Sequence, residues 1–492
     1  MKHLYVHIPF CRTPCAYCDF ASEPVGPHAR AGRVERYLEA LRDELIERAG
    51  GGTGPSSSFQ TIYLGGGTPT VLAPDLLVAL TGYLAAWLEK ADGTAEPAVE
   101  PDAPDAGLSA AAVGDTSDAA DTGLGAMGRV SASPGAVPRA AAEVALDPVL
   151  CTVARPEFTI EANPGTIDAA LLERLVEAGV TRISLGVQSF SPALRATLGR
   201  RVSQKEIEDA LDILGALSRP VATGAGPAGG AGRDQASADH CSVATGGPPG
   251  GAGSLAVGGR SLTGTGRPPT GAGRLEWNLD LVFGIPGQTA ADAFADVDAA
   301  VAAGPTHISL YDLTYTLAYQ TRVDVTLGAG ARSAAGAFAE RYYAEVVARL
   351  EAAGYRRYEV SNFAPPGHEC RHNLAYWRGE DYIGIGASAV STLGGERRTN
   401  PRSVGEYLTG RPARIEMLSP ETKMWEKAML GLRTSDGVDE EAVLPVVDRV
   451  ARDRLLAQGC LERRYGRIRL NPGVLDVSNT VIGTLLVPPG ES

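Results

Sequence analysis

Apolar residues recur along this chain at two spacings. Over residues 33–48 they fall at Val34, Tyr37, Leu38, Leu41 and Leu45, three and four apart, which puts them on one face of a helix. Over 167–178 the inward set is Leu171, Leu172, Leu175 and Val176, and Gly179 supplies the residue that closes such a helix. The same pattern predicts helices at 75–90, 205–217, 290–303 and 337–352. Short apolar runs between them predict strands at 4–8, 61–64, 158–162, 182–187, 277–283 and 307–313. Strand and helix alternate six times, which argues for a parallel sheet covered by helices. The periodicity leaves a doubly wound sheet and a barrel both open.

Two stretches interrupt the alternation. Residues 92–156 are rich in Ala, Gly, Pro, Asp and Ser, and residues 218–273 in Gly, Ala, Pro, Ser and Thr. Neither has a sustained apolar period, so both predict disordered insertions. Lengthening a surface turn costs only about 0.6 kcal/mol per doubling, so roughly 2 kcal/mol covers an insertion of this size. After residue 354 the pattern changes to short strands and Gly-rich turns, as in Tyr382-Ile-Gly-Ile-Gly-Ala387. From Pro420 onward helical runs at 423–432 and 446–458 precede an apolar-basic run at 468–470. The expectation is an α/β domain over 1–354 and a smaller helical, winged-helix-like domain over 355–492.

Composition narrows the partners. Hydrophobic residues make up 44% of the 492, enough for a large core. The formal charge of −13, from 45 basic and 58 acidic side chains, argues against a nucleic-acid binder, because no basic excess exists to neutralise phosphates. No apolar run reaches the length of a membrane span, and the N-terminus does not read as a secretory signal. Seven cysteines in so long a chain do not form a disulfide framework, which points to a reducing, cytoplasmic location.

Three of those cysteines carry the chemistry. Cys11, Cys15 and Cys18 form C-x-x-x-C-x-x-C. Three thiolates on one loop can each hold one iron of a [4Fe–4S] cube and leave the fourth iron open to a small molecule. Zinc would ask for four ligands, and no second pair follows. A disulfide would leave an odd thiol, and a redox dithiol would not explain Cys11. The remaining cysteines, Cys151, Cys241, Cys370 and Cys460, are scattered and read as free thiols.

Other groups cluster after the predicted strands. Leu64-Gly-Gly-Gly-Thr-Pro-Thr70 is either a tight turn or a place of close backbone approach to a ligand. Glu161 follows the third strand and can accept hydrogen bonds from a ribose or an ammonium. Gln188 offers both donor and acceptor, Arg200 suits a carboxylate, and Asp280 lies on the fifth strand. Cys370-Arg-His-Asn-Leu-Ala-Tyr-Trp377 places an imidazole, a good iron ligand, near two rings able to stack on a flat macrocycle. The alternative is a turn with a satisfied histidine and two core aromatics.

The string His-Ile-Pro-Phe-Cys-x-x-x-Cys-x-Tyr-Cys-Asp-Phe, residues 7–20, resembles the signature of the radical SAM enzymes. More narrowly it is similar to the branch related to oxygen-independent coproporphyrinogen III oxidase. The resemblance implies an incomplete (β/α)6 barrel, a [4Fe–4S] cluster on Cys11, Cys15 and Cys18, and S-adenosylmethionine on its open iron. It also implies S-adenosylmethionine contacts from Tyr5, Tyr17, Gly66, Gly67, Thr68, Glu161, Gln188, Arg200 and Asp280. Many relatives carry His two residues after Arg200, where this chain has Val202. Within the branch, His372-Asn373-x-x-Tyr376-Trp377 resembles the HemW heme chaperones. The oxidases carry a further Cys where this chain has Phe20. The implied function is heme binding at His372, Asn373, Tyr376 and Trp377, with delivery to a cytosolic or membrane-bound apo-protein. The alternative is oxidative decarboxylation of coproporphyrinogen III.

Overall fold

The structure, a computed structural model, describes residues 3–25, 32–49, 58–88, 156–218, 275–328 and 330–490. Apart from their end residues Pro156 and Ser218, the two expected insertions lie outside the described residues, as do Cys151 and Cys241.

Six parallel strands stand side by side in chain order: β1 (His3–Ile8), β2 (Thr61–Gly66), β3 (Glu157–Ala162), β4 (Arg182–Gln188), β5 (Glu276–Phe283) and β6 (His307–Asp312). Register is set from His3↔Thr61 through Ile8↔Gly66 between β1 and β2, and from Asn278↔His307 through Phe283↔Asp312 between β5 and β6. The helices that follow are α1 (Arg33–Ala49), α2 (Pro74–Ala85), α3 (Ala169–Glu177), α4 (Gln204–Ser218), α5 (Ala290–Ala303), α6 (Leu317–Leu327) and α7 (Gly330–Ala352). This is the partial α/β barrel that the resemblance implies.

Side chains alternate across each strand. Leu4, Val6, Ile62, Leu64, Phe158, Ile160, Ile183, Leu185, Leu279 and Ile308 are fully buried in one core with Leu41, Leu45, Leu77, Leu172, Leu214 and Val297 from the helices. The opposite face carries His3, Tyr5, His7, Thr61, Tyr63, Thr159, Glu161, Ser184, Asn278, Asp280, His307 and Ser309. A parallel sheet covered on both faces is normally apolar on both. Here the inner face is polar, and its side chains bond to one another across strands, as in Asn278 Nδ2 to Ser184 Oγ at 2.8 Å and His307 Nδ1 to Asn278 Oδ1 at 2.6 Å. The barrel interior is built to hold polar matter.

Helix ends follow local chemistry. α5 begins with a capping box in which Thr289 and Asp292 satisfy each other's backbone N–H, and ends at Gly304 with φ +71°. Two boundaries depart from the periodicity. α7 starts at Gly330, not at 337, and α2 stops at Ala85, after which Leu88 bridges to Phe59. α6 was not expected, because only Tyr319 and Val323 of its eleven residues are buried and it leaves little amphipathic signal.

The sheet continues beyond residue 354 at both edges. β7 (Asn362–Ala364) adds antiparallel to β6. β8 (Tyr382–Ile385) adds parallel to β1 and leads antiparallel into β9 (Val390–Leu393), β10 (Glu396–Thr399) and β11 (Arg414–Met417). The two edges do not pair, so the barrel stays open on that side. The short helix α8 (Arg371–Trp377) packs against β2. A separate apolar core begins in α9 (Pro420–Gly431), where Ala428 and Leu432 pack with Val446, Leu455, Ile468 and Leu485 around a three-stranded antiparallel sheet. Strands over 356–417 therefore share the barrel's sheet, although the composition changes at 354.

Candidate cofactor and ligand sites

The cysteine loop leaves β1 at the carboxyl ends of the strands. Its base is closed by Glu23 N donating to Pro9 O at 2.7 Å and Val25 N donating to Cys11 O at 2.8 Å. Ala16 N donates to Leu198 O at 3.2 Å, which ties the loop to the segment after β4. The glycine run after β2 lies directly beneath it. Gly67 N donates to Ile8 O at 2.8 Å and Thr68 N to Phe10 O at 2.7 Å. A Cβ on Gly67 would stand 2.5 Å from Phe10 O, and one on Gly66, at φ +105°, 2.4 Å from the His7 ring. These glycines are required by the backbone that carries the thiols.

Thr68 Oγ1 lies 3.6 Å from Cys11 Sγ and accepts from Asn163 Nδ2 at 2.6 Å. Arg200 Nη1 lies 3.5 Å from Cys15 Sγ. All three thiols are half-buried. Burial raises the Cys11 thiol, and raises Cys18 to about 11, with the Cys15 thiol and Glu161 adding to both. Without a cation Cys11 and Cys18 therefore stay protonated, and metal loading must release their protons. The donor set fits a cube: three soft sulfur donors on one loop, with exposed Phe20 where a fourth would stand. Among the described residues, no three His, Cys, Asp or Glu side chains converge as one metal ion requires. A cube spreads its corners and needs no such point.

Polar groups ring the inner face next to the loop. Glu161 accepts from Tyr63 Oη at 2.9 Å and Gly66 N at 3.0 Å. Burial, with Asp280 adding, pushes its carboxyl up to about 7. Asp280 accepts from Asn278 Nδ2 at 2.7 Å and Ser184 Oγ at 3.1 Å, and burial raises it too. Gln188 sits at a register shift at the end of β4 with φ +72°, a strained conformation for a residue other than glycine. Arg200 is buried, donates to Gly186 O and Asn163 Oδ1, and leaves its Nε without a partner. Tyr17 packs edge-on to Tyr319, and burial raises its phenol. Tyr5 Oη lies 3.0 Å from His7 Nδ1. The structure thus brings Cys11, Cys15, Cys18, Tyr5, Tyr17, Gly66, Gly67, Thr68, Glu161, Gln188, Arg200 and Asp280 to the inner face and carboxyl-end mouth of one barrel. Two further residues belong there and were not singled out. His7 Nε2 donates to Ala21 O at 2.9 Å and fastens the loop's exit, and Asn163 joins Thr68 to Arg200. Their signal was their place inside the same two short strings.

The segment 370–377 lies at the other end of the barrel. Cys370 Sγ and the backbone N–H of Arg371 and His372 all point to the Glu157 carboxylate at the start of β3. His372 is 1% exposed. Its Nδ1 lies 2.7 Å from Thr61 Oγ1 and its Nε2 3.2 Å from Tyr376 Oη. Its ring stacks on Tyr63 at 5.1 Å, and burial lowers its pKa to about 3. The imidazole is neutral with both nitrogens engaged. Asn373, Tyr376 and Trp377 instead line a cavity of about 530 Å³ between β6, β7, α8, β8 and α9, on the open side of the barrel. The motif is divided: one member anchors the helix, and three face open space.

Comparison with known proteins agrees with this geometry. A family model described as the Radical SAM superfamily matches residues 126–236. Coproporphyrinogen III oxidase (HemN) from Escherichia coli, described as a radical SAM enzyme, superposes with a TM-score of 0.62 at 16% identity, covering 98% of this chain and 89% of that one. The fold is a partial α/β barrel of the kind that this radical SAM enzyme has. Curated relatives named heme chaperone HemW extend the likeness. The Mycobacterium tuberculosis protein is 29% identical over 98% of this chain and 94% of its own length. The Synechocystis protein is 28% identical over 92% and 82%, and the Escherichia coli protein 28% identical over 83% and 76%. Over nearly its whole length, the sequence is similar to proteins named heme chaperone HemW.

Proposed function

We propose that this protein is a cytoplasmic heme chaperone that carries a [4Fe–4S] cluster and S-adenosylmethionine and passes heme to an acceptor apo-protein, soluble or membrane-associated. The carrying observation is likeness over nearly the full length to proteins named heme chaperone HemW. Cys11, Cys15 and Cys18 would hold the cluster. Tyr5, Tyr17, Gly66, Gly67, Thr68, Glu161, Gln188, Arg200 and Asp280 would border S-adenosylmethionine. When bound, the cluster supplies an electron to the ligand on its open iron. The chain's own residues set the loop's shape, keep Glu161 near neutrality and shield the site from water. Asn373, Tyr376 and Trp377 would meet heme, with His372 holding Tyr376 and α8 in place. Among the described residues no helix is long and apolar enough to cross a membrane, so a membrane-bound acceptor would be met at its surface.

The HemN-like fold supports a second reading, decarboxylation of coproporphyrinogen III. An anaerobic assay of the reconstituted protein with that porphyrinogen separates the two. Stoichiometric heme uptake without vinyl product supports the chaperone, and catalytic vinyl formation overturns it. Cys15→Ser is expected to lose the cluster's broad visible absorption, and full iron and sulfide in that variant would remove Cys15 from the site.

A further inference from the structure

Helix α5 buries a charge where its pattern calls for an apolar residue. Its inward face is Ala293, Asp296, Val297 and Ala300, and Asp296 is 5% exposed. A buried carboxylate costs free energy unless hydrogen bonds offset it, so its partners show what it is kept for. Burial raises this carboxyl to about 6, so at neutral pH it is ionised and accepts with both oxygens. Ser189 Oγ donates to Asp296 Oδ2 at 2.7 Å, and Phe190 N donates to Asp296 Oδ1 at 2.6 Å. Ser191 N donates to Ser189 Oγ at 3.1 Å and completes the turn. The carboxylate thus holds the two residues that directly follow Gln188.

A second buried group holds the same segment. Arg195, 2% exposed, belongs to the short helix Pro192–Thr197. Its Nη1 donates to Ser189 O at 2.8 Å, its Nε to Val202 O at 3.2 Å and its Nη2 to Gln204 Oε1 at 3.3 Å. One guanidinium therefore ties the start of the segment 189–202 to its end. Between those ties lie Arg200, whose N donates to Arg195 O at 2.8 Å, and Leu198, whose carbonyl holds Ala16 of the cysteine loop. Gln188, just before the first tie, has φ +72°, a conformation that persists only where the surrounding structure imposes it. A Cβ on Gly186 would stand 2.9 Å from both Asn163 Oδ1 and Gln188 Nε2, and 3.3 Å from Arg200 Nη2. The clamped segment thus delivers Gln188 and Arg200 to one point on the barrel's inner face.

Resting on the reading that Gln188 and Arg200 border S-adenosylmethionine, we propose that Asp296 and Arg195 are positioning residues for that ligand. Their bonds go to residues 189–204, and they act on the ligand only through Gln188 and Arg200. The cysteine loop has its own closures at Pro9, Cys11 and the glycine run, so cluster and ligand respond separately.

The test is a titration of the full-length protein with S-adenosylmethionine after anaerobic reconstitution and reduction. The cluster's EPR signal is followed, and iron and sulfide are measured on the same samples. Asp296→Ala leaves Ser189 Oγ and Phe190 N without their acceptor. It should bind S-adenosylmethionine about tenfold or more weaker, the usual size of losing an outer partner of a ligating group, with iron and sulfide unchanged. Asp296→Asn, which keeps an acceptor for Phe190 N, should recover most of that affinity. Asp298→Asn, on the same helix but paired with Arg349 at the surface, should match wild type throughout. If Asp296→Ala does not fold, Ser189→Ala removes one of the two bonds and should weaken binding in the same direction. Unchanged affinity in Asp296→Ala, or in Ser189→Ala where only that variant folds, overturns the proposal and leaves the S-adenosylmethionine reading intact. So does iron lost in step with the ligand, or an equal loss of affinity in Asp298→Asn. A wild-type cluster whose signal does not respond to S-adenosylmethionine overturns both.

Discussion

His372 and Glu359 sit near one another in sequence and respond to acid in opposite directions. His372 has a folded pKa of about 3, below the ordinary value of 6.5. Its neutral form stabilises the fold above pH 6.5, and that contribution is lost as the pH falls from 6.5 toward 3. Denaturant titrations of apo-protein should therefore show the gap between wild type and His372→Asn shrinking by up to about 2 kcal/mol between pH 7.5 and 5. Glu359 has a folded pKa of about 7, above its ordinary 4.5. Above pH 7 the fold must bury a charge, and that cost disappears as the pH falls through 7 to 4.5. Glu359→Gln should accordingly be more stable than wild type at pH 8, by at most a few kcal/mol, with the gain fading by pH 5. A constant difference across that range would show that Glu359 is not held in an apolar place. The residue types at the site were legible from spacing alone for the three thiols. They were not for Glu359, whose raised pKa comes from burial that spacing does not record.

Between elements, the informative contact is the glycine run after β2 against the cysteine loop. Gly66 and Gly67 were expected as ligand contacts, and the distances add a structural duty, since a Cβ at either meets His7 or the Phe10 carbonyl. Gly67→Ala should lower both the melting temperature and the iron bound after reconstitution, because the clash is with backbone that cannot move aside. Gly82→Ala in α2, where an added Cβ meets nothing, should leave iron content unchanged and raise helix stability by up to about 1 kcal/mol. Equal iron in both variants would separate the glycine run from the loop. All six barrel strands were legible because each is a short apolar run ending in polar or glycine residues. α6 was not, because a helix that buries so few side chains leaves no face in the pattern.

At the scale of the molecule, the six strands face their apolar side to the helices and their polar side to the barrel interior, so one sheet builds the core and the site together. α4 ends at Ser218 and β5 begins at Glu276, each with its own packing. Replacing residues 222–270 with a short Gly-Ser linker should change the melting temperature by only a few degrees, given the weak dependence of closure entropy on length. A large loss of stability or of bound iron would show that the segment serves the fold. The sequence by itself determined the alternation of strand and helix and the thiol triplet, because these depend on local spacing. Only the tertiary structure divided the HNxxYW motif between an anchor and a cavity wall, and only it buried Glu359 there. Burial and partnership are properties of side chains distant in the chain, and local spacing carries no record of them.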